Sequence, residues 1–477
     1  MVGFVGRRRE RAELHALLDD VRRGTRADRG IAVLIRGRRR VGKSRLVVEF
    51  LKEAAVPSVY FQAARGVPVA EELAEFAATV AASDLPDSEV AVGQRPASLT
   101  AALALLAAAL PSDAPAVVVI DEAPWLLERV PGGAGELQRA WDRQLASRPV
   151  LLLLLGSDLA AMEQLGAPDQ PFHGRATELV LAPLSPADIA DLTGLAPMDA
   201  VDAYLITGGM PLVAQEWPAG ATAEAFLRQS FTRSTSALVV SGQRVLDSEF
   251  PAVSTPRAVL TALGGRGERS FTGVNQAVPG GPLSPTTLSA SLRTLTAARV
   301  VAEDRPLSAR SAPRDRRWRI ADPGLRFWLA FVEPALAEVD RGQPELAVAR
   351  VQRGYQAWRG RAVEPMVREA LQRLLPDDRW PRVARVGGWW PRSNTPEIDL
   401  VGADAEPART LDFVGTVKWR PDEPVTAAEV ARLATDALAV PGVAVTTELV
   451  AVCPAGAQPD IGLAQTWTVE DLLHAWR

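Results

Sequence analysis

The chain has 477 residues, of which 47% are hydrophobic, and its net charge is −4 at pH 7. This length and composition predict a water-soluble protein of roughly two to four domains. Because the balance of charge is mildly acidic, contact with nucleic acid requires a local basic patch. One cysteine and three scattered histidines exclude internal disulfides and the usual zinc sites. A bound metal is therefore expected to be Mg²⁺ on oxygen ligands.

The N-terminal segment lacks the apolar core of a secretory signal, and the apolar runs fall short of the ~20 residues that span a bilayer. A cytoplasmic location is expected. The basic residues are biased towards arginine, since only three of the 53 Lys and Arg residues are lysines: Lys43, Lys52 and Lys418. Where arginine is used almost everywhere else, a lysine indicates chemistry that needs a compact ammonium. Lys52, however, has no assigned role.

A phosphate-binding loop is predicted near the N-terminus. An apolar run of strand length, Ile31–Ile35, precedes a loop and a helical pattern that begins at Lys43. The loop reads GRRRVGKS, a full match to G-x-x-x-x-G-K-[ST], whose backbone N–H groups surround the phosphates of ATP. Lys43 is predicted to reach the β- and γ-phosphates, and Ser44 to bind Mg²⁺. The predicted cofactor-binding residues here are Gly37, Arg38, Arg39, Arg40, Val41, Gly42, Lys43, Ser44 and Arg45.

A second strand supplies the acids that such a loop needs. The apolar run Ala116–Ile120 leads to Asp121 and Glu122 at its carboxyl end, where ligands of parallel sheets bind. Asp121 is predicted to hold Mg²⁺ and Glu122 to polarise the attacking water. A third strand ends at Ser157, which is either a γ-phosphate contact or a helix N-cap. Arg175 is either an arginine finger or a surface residue.

Six segments occur in the order found in archaeal-type P-loop ATPases, relatives of the AAA+ and STAND NTPases: FVGRRRE, the P-loop, VVVIDEAPWL, GSDL, HGRATELVLAPLS and YLITGGMPLV. The resemblance covers roughly the first 230 residues. It implies that Gly6, Arg7 and Glu10 lie near the adenine and that Pro211 belongs to a helical lid. The corresponding domains are an ATPase core at 1–195 and a lid at 196–245.

The middle of the chain resembles a winged helix. Two short helices, the second beginning with the N-cap and N1 pair Ser284 and Pro285, precede two strands joined by an arginine-rich turn. The family has a winged helix followed by a D-P-x-L-R-F-W motif, here Asp322–Trp328, so this domain is expected at 246–335. The turn is predicted either to hold DNA phosphates or to be a solvated loop of a domain that packs on the ATPase. Its arginines are Arg310, Arg314, Arg316, Arg317 and Arg319.

The region 345–477 is predicted to form an α/β domain. The segment YQAWRGRAVEPMVREALQRLL reads as one amphipathic helix, followed by two strand-like segments, a helix at Ala427 to Ala439 and a strand at Glu448 to Cys453. This α-β-β-α-β order, with E…EIDLV…VKW, resembles the PD-(D/E)XK nuclease fold. The same ATPase family commonly carries such a domain at its C-terminus.

In that fold an aspartate and a second acid hold a divalent ion, and a lysine orients the attacking water. Asp399, Lys418 and Glu364 match the aspartate, the lysine and a glutamate of the first helix, so Asp399 is the predicted metal ligand. The second acid is missing, because Thr416 stands two residues before Lys418, where both side chains would share one face of a strand. The candidates for a replacement acid are Glu397, Glu429 and Asp436.

The sequence thus predicts an α/β protein with a P-loop NTPase core of the AAA+ and STAND type, a helical lid, a winged-helix domain and a C-terminal restriction-endonuclease-like domain. The expected cofactors are ATP and Mg²⁺. Three functions stay open: an ATP-hydrolysing switch coupled to a nuclease-like domain on DNA, a nuclease-inactive regulator gated by nucleotide, or a slow switch that binds ATP but barely hydrolyses it. Whether the protein forms a homo-oligomer is also open.

Overall fold

The computed structural model describes residues 4–24, 29–249, 254–310 and 315–477. The chain divides into two compact units, Met1–Pro183 and Leu184–Arg477. Among the described residues, none of the helices has the length and apolar character that crossing a membrane requires.

The first unit contains a five-stranded parallel sheet. Its strands are β1 (Ile31–Arg36), β2 (Ser58–Gln62), β3 (Ala116–Asp121), β4 (Val150–Gly156) and β5 (Ala176–Val180), in the spatial order β2-β3-β4-β1-β5. Alternate residues of β1, β3 and β4 enter two separate apolar cores, one on each face of the sheet. Both faces are therefore covered, as the continuous apolar runs of these strands require.

Seven α-helices of the first unit have these bounds: α1 (Arg8–Arg23), α2 (Lys43–Ala54), α3 (Val69–Ala81), α4 (Leu99–Ala109), α5 (Ala123–Arg129), α6 (Gly133–Ala140) and α7 (Leu159–Gly166). A 3₁₀ turn (Ser88–Ala91) and a π-helical turn (Trp141–Leu145) complete the described elements. Helix α2 begins directly after Gly42, whose φ of 99° favours glycine. The order strand, loop, helix predicted for the phosphate-binding segment is confirmed.

The second unit begins with helices. They are α8 (Pro186–Thr193), α9 (Pro197–Thr207), α10 (Pro211–Ala214), α11 (Ala223–Phe231), α12 (Ala237–Glu249) and α13 (Thr255–Leu263). A small antiparallel sheet follows, with strands β6 (Arg269–Ser270), β7 (Val301–Asp304) and β8 (Arg317–Ile320) in the order β6-β8-β7. Helices α14 (Phe271–Gln276) and α15 (Pro285–Ala297) lie between its first two strands in the chain.

The predicted hairpin of β7 and β8 is confirmed, whereas β6 and α14 escaped the sequence patterns because each is only a few residues long. The Asp322–Trp328 motif forms α16 (Pro323–Phe327), with Asp322 as its N-cap. A π-helical turn (Trp328–Val332), a 3₁₀ turn (Glu333–Ala335) and α17 (Leu336–Asp340) come next.

The last part of the chain builds a third sheet, with its strands in the order β13-β12-β11-β10-β9. Its elements are α18 (Pro344–Ala362), α19 (Glu364–Leu374), β9 (Arg385–Trp389), β10 (Ile398–Ala403), β11 (Leu411–Val417), α20 (Ala427–Ala437), β12 (Glu448–Val452), β13 (Gln465–Trp467) and α21 (Val469–His474). The pairs β9–β10 and β10–β11 are antiparallel, and β11–β12 and β12–β13 are parallel.

Two sequence predictions for this region were wrong in detail. The single amphipathic helix is two helices, α18 and α19, which separate at Val363 because Pro365 lacks the N–H that a continuous helix needs. The first strand-like segment is also two strands, the end of β9 and the whole of β10. The intervening stretch contains Pro391 and Pro396, which cannot donate ladder hydrogen bonds.

Candidate functional site

The phosphate-binding loop places the Lys43 ammonium at the centre of a hydrogen-bonded chain. Its Nζ donates to the main-chain oxygens of Gly37 at 2.7 Å and Arg38 at 3.2 Å, and to the Ser157 hydroxyl at 2.9 Å. The Ser157 hydroxyl in turn donates to Glu122 Oε1 at 2.7 Å. Strands β1, β3 and β4 thus bring together a lysine, a hydroxyl and an acid that are far apart in the sequence.

A second chain of hydrogen bonds surrounds Asp121, which is 2% exposed. Its Oδ2 accepts from the Ser44 hydroxyl at 2.7 Å and from the Tyr60 hydroxyl at 2.6 Å, and its Oδ1 accepts from the Glu122 N–H at 2.9 Å. The two predicted Mg²⁺ ligands, Ser44 and Asp121, therefore lie in direct contact. Glu122 itself has φ 52°, a left-handed conformation that is costly for a residue other than glycine.

The electrostatics of the site centre on Lys43. Burial lowers the pKa of Lys43 to about 8, the charges of Glu122 and Asp121 oppose this shift, and the charge of Arg39 adds to it. Burial and the hydrogen bond to Asp121 raise the pKa of Tyr60 well above its ordinary value. The phenol is therefore a permanent donor to Asp121 at physiological pH.

The site fits a nucleoside triphosphate with Mg²⁺. A Cβ on Gly37 would lie 2.6 Å from the Leu181 oxygen, so the loop is closed to any side chain at this position. A hydroxyl and a carboxylate are the hard oxygen donors that Mg²⁺ accepts together with phosphate oxygens. Among the described residues, no three His, Cys, Asp or Glu side chains form a metal-binding group.

The other predicted nucleotide residues occupy distinct positions. Arg7 is buried and donates through Nη2 to the Val41 oxygen at 2.9 Å and through Nη1 to Glu10 at 3.1 Å, which ties the segment after Gly6 to the phosphate-binding loop. Arg39, Arg40 and Arg45 are exposed. Pro211 is the first residue of α10, in the second unit.

The structure shows where Ser157 and Arg175 lie within the chain. Ser157 is not a helix N-cap, because Asp158 caps α7 through its side chain. The structure does not bring Arg175 to the Lys43 chain: its guanidinium forms a two-pronged ion pair with Asp142, at 2.7 and 2.9 Å, and binds the main-chain oxygens of Pro171 and His173.

The predicted acids of the C-terminal domain, Asp399 and Glu364, accept hydrogen bonds from other groups of the protein. Asp399 Oδ2 accepts from the Thr416 hydroxyl at 2.9 Å and from the Val417 N–H at 2.8 Å. Glu364 Oε2 accepts from Arg368 Nη2 at 2.9 Å. Burial raises the pKa of Glu364 to about 8, and Arg368 opposes this shift. Within the described ranges, the Lys418 ammonium has no hydrogen-bond or ion-pair partner.

The candidate replacement acids are each paired with an arginine. Glu429 belongs to the capping box of α20 and pairs with Arg420 at 2.7 Å, and Asp436 pairs with Arg432 one turn before it at 3.6 Å. Glu397 forms an ion pair with Arg317.

Residues 3–152 match the family model described as an AAA ATPase domain. The first unit therefore carries an AAA-type ATPase domain. Residues 328–431 match a second family model, described as archaeal and bacterial proteins of unknown function. No curated protein matches the chain.

Among solved structures, the chain is similar to a Walker-type ATPase of Pyrococcus abyssi, with 20% identity, a TM-score of 0.47 and coverage of 68% of this chain and 96% of that one. The Orc2 protein of Aeropyrum pernix is 14% identical, with a TM-score of 0.41 and coverage of 72% and 95%. Cdc6p of Pyrobaculum aerophilum is 14% identical, with a TM-score of 0.37 and coverage of 73% and 97%.

Three arginines of the predicted wing form ion pairs with acids of the same unit. Arg316 pairs with Glu303, and Arg319 pairs with Asp304 at 2.7 Å. Arg317 binds Glu397 and lies 4.3 Å from the centre of the Trp390 ring. These three side chains are thus engaged within the second unit, because acids stand on the neighbouring strand β7 and on the loop before β10. Arg310 is exposed, and Arg314 lies outside the described residues.

Sequence reasoning missed two residues of these sites. Tyr60 on β2 contacts Asp121 across 61 positions of sequence, and only the sheet order reveals that contact. Arg368 could have been found, since it follows Glu364 by four residues on a helix, the spacing of a favourable ion pair.

Proposed function

We propose that the first unit binds ATP with Mg²⁺ and hydrolyses it. The observation that carries this proposal is the hydrogen-bonded chain from Lys43 through Ser157 to Glu122, next to the contact between Ser44 and Asp121. The match of residues 3–152 to an AAA ATPase domain supports the same reaction.

The side chains have separate roles in this proposal. Lys43, held at the loop by the Gly37 oxygen, neutralises charge on the terminal phosphates, while Ser44 and Asp121 are the protein ligands for Mg²⁺. When bound, Mg²⁺ supplies electrostatic stabilisation of the charge on the phosphates. Glu122 accepts a proton from the attacking water at its carboxylate, and Ser157 fixes the orientation of that carboxylate.

The test compares two lysines of helix α2. Lys43→Ala should abolish ATP binding, measured by isothermal titration calorimetry, and should also abolish phosphate release. Lys52→Ala is the matched control, because Lys52 is exposed and pairs with Glu49 at 3.4 Å. Unchanged ATP affinity in Lys43→Ala would refute the proposed site.

For the C-terminal domain we propose a nuclease-like fold that does not cleave, so that the chain acts as a nucleotide-gated regulator. The order α19-β9-β10-β11-α20-β12, with an antiparallel meander followed by a parallel strand, supports the fold. Thr416, which is neutral and bound to Asp399, supports the lack of cleavage. Plasmid cleavage with Mg²⁺ or Mn²⁺ that disappears in Lys418→Ala would exclude this interpretation.

We also infer a winged helix from α13 to β8, on the grounds of its helix and strand order and its three-stranded antiparallel sheet. The pairing of Arg316, Arg317 and Arg319 favours a packing role for its wing over a phosphate clamp. A strong, salt-dependent affinity for duplex DNA that falls in Arg317→Ala would contradict that role.

A further inference from the structure

The predicted metal site at Glu364, Asp399 and Thr416, called the C-terminal pocket below, contains a cation of its own. Arg368 lies one helical turn after Glu364, and its Nη2 donates to Glu364 Oε2 at 2.9 Å. Its Nε donates to the main-chain oxygen of Asp399, also at 2.9 Å. One guanidinium therefore connects the two segments that carry the acids expected to hold a metal.

One oxygen of each acid already has hydrogen-bond donors, and the donor to Glu364 Oε2 is Arg368. Asp399 Oδ2 receives two of them, the Thr416 hydroxyl and the Val417 N–H. A divalent cation such as Mg²⁺ needs near-octahedral oxygen coordination, usually with one or two carboxylates. The second acid that would share the ion is replaced by the neutral Thr416, and Glu364 already has a charged partner in Arg368. The residues present therefore do not fit the metal that a nuclease-like fold implies.

The guanidinium has little freedom to leave. The Arg368 side chain is 12% exposed. A Cβ on Gly388, in the neighbouring strand β9, would lie 2.7 Å from Arg368 Nη2, so the main chain of β9 packs closely on the guanidinium. Withdrawing it would also leave the Glu364 carboxylate, which is 21% exposed, without its ion-pair partner.

We propose that Arg368 takes the place of the divalent cation in this pocket, so that the C-terminal domain binds no Mg²⁺ and its acids form a permanent structural cluster. The inference rests on the nuclease-like fold proposed above and is independent of ATP hydrolysis. Arg368 is then the cation that holds α19 on β10. The replacement of an acid by Thr416 would by itself only weaken a metal site, not exclude the metal.

The test measures bound Mn²⁺ by electron paramagnetic resonance on the full chain without nucleotide. Every protein carries Asp121→Asn, so that the P-loop acid does not contribute. The expected result is that adding Asp399→Asn changes nothing, because no Mn²⁺ is held at Asp399. One Mn²⁺ per chain that is lost on Asp399→Asn would overturn the proposal. Such binding without plasmid cleavage would leave the proposed regulator function intact, whereas cleavage would refute both.

A second measurement asks whether Arg368 is the group that excludes the metal. In the same background, Arg368→Ala should lower the melting temperature in metal-free buffer, and added Mn²⁺ should raise it again. Arg373→Ala is the matched control, since Arg373 forms an exposed pair with Glu369 at the same spacing on α19. It should show no response to Mn²⁺. A folded Arg368→Ala protein that is equally indifferent to Mn²⁺ would overturn the proposal, and Arg368→Gln serves if the alanine variant does not fold.

Discussion

The lowered pKa of Lys43 predicts that ATP binding weakens at moderately alkaline pH. Burial brings this pKa to about 8 in the free protein, and only the protonated ammonium attracts the phosphates. Above the pKa of free Lys43, the lysine must take up a proton when ATP binds. The affinity for ATP is therefore highest below pH 8 and falls as the pH rises above 8. Between pH 7 and pH 9 the dissociation constant should rise about tenfold, or about 1.4 kcal/mol.

Calorimetric titration with ATP at constant ionic strength, from pH 7 to pH 9.5, measures this effect directly. The terminal phosphate of ATP is fully ionised over most of this range, so the slope reports on the protein. Lys43→Arg is the control, because a guanidinium stays protonated throughout and its profile should be flat. A flat profile for the wild type, or an equal slope in Lys43→Arg, would refute the reasoning.

Three further predictions concern turnover, metal use and packing. Glu122→Gln should lower the rate of phosphate release by about 10²–10⁴-fold and leave ATP affinity nearly unchanged; a comparable rate would remove Glu122 as the base. Tyr60→Phe should raise the Mg²⁺ concentration for half-maximal turnover by about 10-fold or more, since it removes an orienting hydrogen bond on Asp121, with a small effect at saturating Mg²⁺. Gly324→Ala should cost about 1–3 kcal/mol in urea unfolding, because its Cβ would lie 2.8 Å from the Gly208 nitrogen. Gly360→Ala, with open space in helix α18, should instead stabilise by about 0.5–1 kcal/mol; equal effects would contradict the packing argument.

Local patterns predicted the elements that carry their own signals. Two strands, the one before the phosphate-binding loop and the one that ends at Asp121, have apolar runs. The helix that begins after Ser284 has a cap formed by neighbouring residues. The contacts of Tyr60 with Asp121 and of Thr416 with Asp399 depend on which strands lie side by side, and no short pattern encodes that choice. Short elements such as β6 also escape prediction, since two residues have no periodicity.

The two acid clusters differ in the kind of partner that each one has. In the first unit the acids are bound by Ser44, Ser157 and Tyr60, whose neutral hydroxyls rotate and release their acceptors at little cost when phosphates and a metal arrive. The cation that donates to this chain of hydrogen bonds is Lys43, a compact ammonium that burial already makes easier to deprotonate. In the C-terminal pocket the cation is Arg368, a planar guanidinium that stays charged and holds both segments at once. A site built from exchangeable donors suits a ligand that comes and goes, and a site closed by a fixed guanidinium suits a permanent contact. The proposed ATPase and the proposed metal-free cluster therefore follow from the same physical distinction.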